Sequence, residues 1–215
     1  ALLAEVGRYD EALDHNRLTL VLAPQHYRAR WQLGELCETL GRIDEALEAY
    51  QPFEEIATKG PLPDRPEELM HLGQGFLRYT ALTQNPNLVR RTRHVLQEVY
   101  QEAFDRLNAA YWPARLAAAE LLLEKHSLSE AKSDFERILA QNPRVPATHV
   151  GLGRITLEQW EFEETEKHAR AALAINPRFV PAHILLADLR MTERRCPQAV
   201  EAARAALATN PNSIA

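Results

Sequence analysis

The chain has 215 residues, of which 46% are apolar and 26% charged, the balance of an ordinary soluble folded protein. Its formal charge of −5 supplies no counterion-release drive toward nucleic acid and no basic amphipathic face for an anionic membrane, and no apolar run is long enough to span a bilayer. The only cysteines, Cys37 and Cys196, lie far apart without metal-ligand neighbours. That pattern excludes a disulfide framework and a zinc knuckle and favours a reducing compartment, the cytoplasm ahead of the periplasm.

The chain opens inside a helical pattern (ALLAEVGRYDEAL) without an initiator Met, and so reads as a piece of something longer, with a truncated first unit over 1–26. Its GRYDEAL segment returns as GRIDEAL, placing Gly7 and Gly41, and Ala12 and Ala46, 34 residues apart. A fixed period of this length marks a repeat architecture. The second unit, 27–60, reads as a helix from Tyr27, a glycine turn and a second helix. The third, 66–111, fits worst. It has a Pro-rich approach (KGPLPDRP), a loop at TQNPNL and a second helix over about 88–110, a turn or two longer than its neighbours. A local irregularity in the stacking is expected there. Arg90, Arg91, Arg93 and His94 open that helix; a cationic first turn opposes the helix dipole, so the cluster reads as a solvated face compensated by Glu98 and Glu102, with an anion site as the alternative.

Units 112–145, 146–179 and 180–213 close the chain. Asn142-Pro143, Asn176-Pro177 and Asn210-Pro211 recur at the same period, as do Ala131, Thr165 and Ala199. In the clearest unit a helix from Pro146 to about Gln159 carries Leu152, Gly153 and Ile155. A second, from about Glu163 to Ile175, carries Ala169, Ala172 and Leu173. Small residues recur inside each first helix (Gly34, Gly73, Ala119, Gly153, Ala187), which predicts close helix crossing. Pro ends each unit because it cannot continue a helix; Pro113, Pro146 and Pro181 fall in first turns, where a missing N–H costs nothing. The turn glycine of the early units becomes His126, Trp160 and Arg194 in the last three.

A helix pair with small residues at these sites and a closing Pro resembles the tetratricopeptide repeat family, and the resemblance covers nearly the whole chain. It implies an all-α fold: a right-handed superhelical solenoid of antiparallel helix pairs, here with an irregular, longer third unit, forming a single repeat domain over 1–215. It further implies an inner surface lined by first helices. On that surface one row reads Trp31, Met70, Leu116, Val150 and Ile184, and another reads Glu38, Leu77, Leu123, Leu157 and Met191. Glu35, Gln74, Glu120, Arg154 and Asp188 lie between. This is an apolar groove with acidic flanks, suited to an amphipathic helix or extended peptide with some basic residues; the alternative is that these side chains only seal adjacent helices. The carboxylate clamp of some relatives needs Lys and Asn where this chain has Trp31 and Glu35, or Val150 and Arg154. The Asn ladder of others falls on Gln32, His71, Ala117, Gly151 and Leu185. Neither is assembled.

No phosphate loop, nucleophile elbow or persuasive Cys–His pair occurs, and the carboxylates of EFEETEKH read as a solvated face. His149 and His183 sit one repeat apart, too far to share a metal unaided. The expectation is an interaction scaffold for a protein or peptide partner, without catalysis, cofactor, metal, nucleic acid or membrane insertion. A recruiting arm of a larger enzyme is the rival reading, and pairing of copies through the open solenoid ends a third possibility.

Overall fold

The computed structural model describes residues 2–89 and 99–211, and every described element is helical. In chain order these are α1 (Leu2–Glu5), α2 (Tyr9–Leu22), α3 (Tyr27–Thr39), α4 (Ile43–Lys59), α5 (Pro66–Thr83) and α6 (Pro86–Val89). A π-helical segment, Glu102–Leu107, follows. Then come α7 (Trp112–Glu124), α8 (Leu128–Gln141), α9 (Pro146–Glu158), α10 (Phe162–Ile175), α11 (Val180–Thr192) and α12 (Cys196–Thr209). No described helix is long and apolar enough to cross a membrane. The residues form two compact units, one comprising Ala1–Ala4 and Arg8–Ala117, the other Glu5–Gly7 and Ala118–Ala215.

In the first unit α3 packs between α2 and α4 and also against α5, the next first helix, while α5 meets α4 and the π-helical segment. Tyr50, Phe53, Leu69, Leu72, Phe76 and Tyr100 are fully buried there. The small residues have a sharper purpose than close crossing of backbones. A Cβ on Gly34 would enter the ring of Tyr50, one on Gly75 the ring of Phe53, and one on Gly73 would lie 2.5 Å from Tyr100 Cε1. Each glycine is the socket for an aromatic side chain from a neighbouring second helix, so the limit is set by a ring and not by the helix axis. Ala12, Ala46, Ala131, Thr165 and Ala199, the small positions of the second helices, are all buried.

The second unit repeats the scheme with smaller parts. Helices α9 and α11, both first helices, pack on each other and on α10. Val150, Ala169, Ala172, Ala182 and Leu185 form their common core, with Leu157, Leu173, Phe179 and Leu186 against it. Gly151 takes the ring of Phe135, whereas a Cβ on Gly153 would meet Leu185 Cδ2 at 2.5 Å.

The turns between paired helices keep one geometry whatever the residue. Gly41 has φ +71°, and His126, Trp160 and Arg194 hold φ +56°, +62° and +60°. Around each, two backbone bonds close the helix end: Arg42 N–H donates to Cys37 O (2.8 Å) and Gly41 N–H to Glu38 O (2.9 Å), and the same pair recurs from Glu161 to Thr156 O and Trp160 to Leu157 O. The left-handed residue is what lets both bonds form.

Unit boundaries rest on asparagine as much as on proline. Asn142 Oδ1 accepts from Arg144 N–H at 3.1 Å and Asn176 Oδ1 from Arg178 N–H at 3.0 Å, a side-chain turn that redirects the backbone. Asn108 does the same for Ala110 N–H at 3.0 Å. It stands 34 residues before Asn142, so the period extends one unit further back than the Asn-Pro pairs indicate. The third unit is irregular, as expected: Gln84 ends α5 at φ +50°, the short α6 follows, and the chain reaches Asn108 through the π-helical segment that buries Ala103 and Phe104. The basic cluster Arg90, Arg91, Arg93 and His94, and residues 90–98 of the predicted second helix with it, lie outside the described residues.

Candidate partner-binding face

In the first unit the predicted face comes from α3 and α5. Trp31, Met70, Gln74 and Leu77 are half-buried, and Glu35 and Arg78 exposed. Trp31 stacks on His71, with ring centroids 5.3 Å apart and planes inclined by 25°. His71 is itself buried and shares a hydrogen bond of 3.0 Å with Gln74. Burial pushes its pKa down to about 4 against the opposing effect of that bond; the imidazole is neutral at pH 7.

Charge on this face is arranged in two different ways. Glu38 is enclosed: Tyr50 Oη donates to it at 2.8 Å, and Arg78 grips it through two nitrogens, Nε at 3.0 Å and Nη2. Such a fork is the strongest form of charged hydrogen bond. Glu35 lies one turn back on the same helix face and makes no side-chain hydrogen bond or ion pair among the described residues. It keeps solvent-accessible surface, yet protein crowds it closely enough that desolvation, followed by the nearby Glu38 charge, raises its pKa despite Arg78.

In the second unit the predicted residues separate. Leu123 and Val150 are buried (3% and 8% exposed), and Val150 belongs to the core between α9, α10 and α11; these two seal helices. Leu157 and Ile184 are half-buried, and Leu116, on α7 at the close of the first unit, is half-buried as well. Glu120, Arg154 and Asp188 are exposed, and Met191 is 58% exposed. Burial raises the pKa of Asp188, and the charge of Arg154 on the neighbouring first helix lowers it in part. The acid here has a facing cation.

Two features of this unit escape sequence reasoning. Trp160 is 72% exposed on its left-handed turn, near the ring of Phe162; the repeat comparison marks it only as a missing glycine. Arg190 joins Glu166 on α10 (2.7 Å) to Glu193 (2.7 Å), a link between helices whose partners lie 24 and 3 positions away. Spacing on one helix cannot reveal the longer one. His149 pairs not with His183 but with the ring of His168, centroids 5.9 Å apart, while His183 bonds Pro177 O at 3.0 Å.

The sequence matches the tetratricopeptide repeat family model over residues 2–61 and 116–178, more than half of the chain. No curated protein matches it. Among solved structures it is similar to TTC0263, a thermophilic TPR protein of Thermus thermophilus, with 22% identity, 93% of this chain and 94% of that one covered, and a TM-score of 0.61. It is also similar to the APC/C hetero-tetramer Cut9–Hcn1 (16% identity, 96% and 38% covered, TM-score 0.60). The third is PilW, a type IV pilus biogenesis factor (16% identity, 95% and 87% covered, TM-score 0.58). At these identities the likeness concerns the fold. With the family model matched on both units and the helix pairs in place, the chain belongs to the tetratricopeptide repeat family.

Proposed function

We propose that this chain is a protein-interaction scaffold that receives a partner peptide or helix on the first-helix faces of its units. One observation carries the reading. On α3, α5, α9 and α11 the core-facing positions are filled and buried, yet Trp31, Met70, Leu77, Leu157, Ile184 and Met191 keep apolar surface in contact with water. A preformed face of this kind spares the receptor the ordering cost of association, and alternating apolar and charged side chains suit an amphipathic segment. In this reading the scaffold performs no chemistry of its own.

The test is capture of partner from a cell extract by the immobilised chain, compared with its Trp31→Ala and Leu157→Glu variants. Both should lose the captured protein while keeping a helical circular dichroism spectrum. Unchanged capture by folded variants defeats the proposal.

A further inference from the structure

We infer that the first-helix face of the first unit receives a lysine or arginine side chain of the partner peptide at Glu35, one turn along α3 from Trp31. The inference rests on the scaffold reading above and adds the chemistry of one position.

Three charged side chains occupy this face, and two satisfy each other. Glu38 is held by Arg78 and Tyr50, and its side chain is only 13% exposed. Glu35 is left exposed, with no ion pair among the described residues and a like charge nearby, while Arg78, which offsets part of that repulsion, is engaged by Glu38. Folding alone gains nothing from an acid at this position. An arriving cation would complete it, relieving repulsion from Glu38 and gaining a charge-assisted hydrogen bond.

The surroundings select a basic side chain over a bare ion. Trp31, one turn before Glu35, is held by its stack on His71, and the neutral imidazole does not repel an incoming positive charge. The indole supplies a cation–π surface and an apolar contact for the methylene stem that lysine and arginine carry. The equivalent position on α5 is the neutral Gln74, and on α11 it is Asp188, which already faces Arg154. Among these rows Glu35 is the acid that has an aromatic ring one turn away on its own helix, and the cation nearest it, Arg78, is already taken by Glu38.

A phage-displayed random peptide library selected on the immobilised chain tests this. Enriched peptides, resynthesised and measured by fluorescence anisotropy, should place a lysine or arginine among apolar residues. Glu35→Gln should weaken them about tenfold, the loss of one charge-assisted bond, and replacing that basic residue by norleucine should cost the same on the native chain and nothing further on Glu35→Gln. Glu136→Gln, an exposed acid on the second helix α8 and outside these rows, should leave affinity unchanged. Glu35→Gln should melt at the native temperature or above it, since the substitution removes a repelled charge. Enriched peptides that lose affinity with Trp31→Ala but carry no basic residue, or that bind Glu35→Gln as well as the native chain, overturn the inference and leave the scaffold reading standing. No enrichment, or enrichment indifferent to Trp31→Ala, overturns both.

Discussion

The two units build the same helix pairs from different materials. In the first, glycine sockets receive large rings, a histidine is buried beneath a tryptophan, and the helix turn is the glycine Gly41. In the second, alanines and leucines fill most of the core beside the ring socket of Gly151 and Phe135, His149 and His168 are half-buried, and the turns are His126, Trp160 and Arg194. The contrast shows that the repeat constrains volume and backbone direction while leaving side-chain chemistry open. One unit spends that freedom on aromatic packing, the other on charge pairs such as Arg190 with Glu166.

The largest expected difference lies in the sockets. Gly75→Ala places a methyl group inside the Phe53 ring, which is enclosed on all sides, and should destabilise by about 3 kcal/mol, the upper range of overpacking. Gly153→Ala meets only the end of Leu185, a side chain able to rotate, and should cost about 1 kcal/mol. Equal losses in denaturant unfolding would erase the distinction between ring sockets and aliphatic ones.

Acid should separate the units next. His71 has a folded pKa of about 4, below the unfolded value, so the unfolded chain binds the proton first. Its contribution is fully present above about pH 6.5, lost progressively as pH falls toward 4, and amounts to roughly 2–3 kcal/mol. His149 and His168 are shifted in the same direction by burial and add a smaller loss. In unfolding measured between pH 7 and 4.5, His71→Phe should remove most of the acid sensitivity. An unchanged pH profile would mean that the second unit, not the first, carries it.

The turns give the smallest effect. Nothing lies within 4 Å of a Cβ on Gly41, so Gly41→Ala reads backbone strain alone and should cost about 1 kcal/mol. Arg194→Gly should gain up to about 1 kcal/mol by relieving the same strain, less the entropy glycine adds to the unfolded chain. Thermal melts of the two variants shifting in opposite directions would sharpen the comparison; shifts of one sign would break it.

The helix pairs were legible because their markers are local. Asn-Pro at 142, 176 and 210, and the two GRxDEAL segments, encode boundaries in a few adjacent residues. Asn108 carries the same turn but lacks the following proline, which hid one period. The site was legible only in outline. Helical spacing placed Trp31 and Glu35 on one face, but Leu123 and Val150 share that spacing and are buried, because burial depends on the neighbouring helices. The stack of Trp31 on His71 and the grip of Arg78 on Glu38, 40 residues apart, join neighbouring repeats within the first unit and leave no trace in either repeat's periodicity.

The asparagine turns carry a consequence for how such a chain changes over time. Each boundary is closed by an oxygen bonding a backbone group two residues ahead, so the exit direction of a repeat depends on nothing beyond its own last residues. A whole repeat is therefore a self-addressed cassette. Duplication or loss of one 34-residue period between Asn108, Asn142 and Asn176 preserves the punctuation on both sides, whereas an insertion or deletion of another length shifts it. Lengthening by copies, with each copy then free to alter its surface, is the route this architecture leaves open.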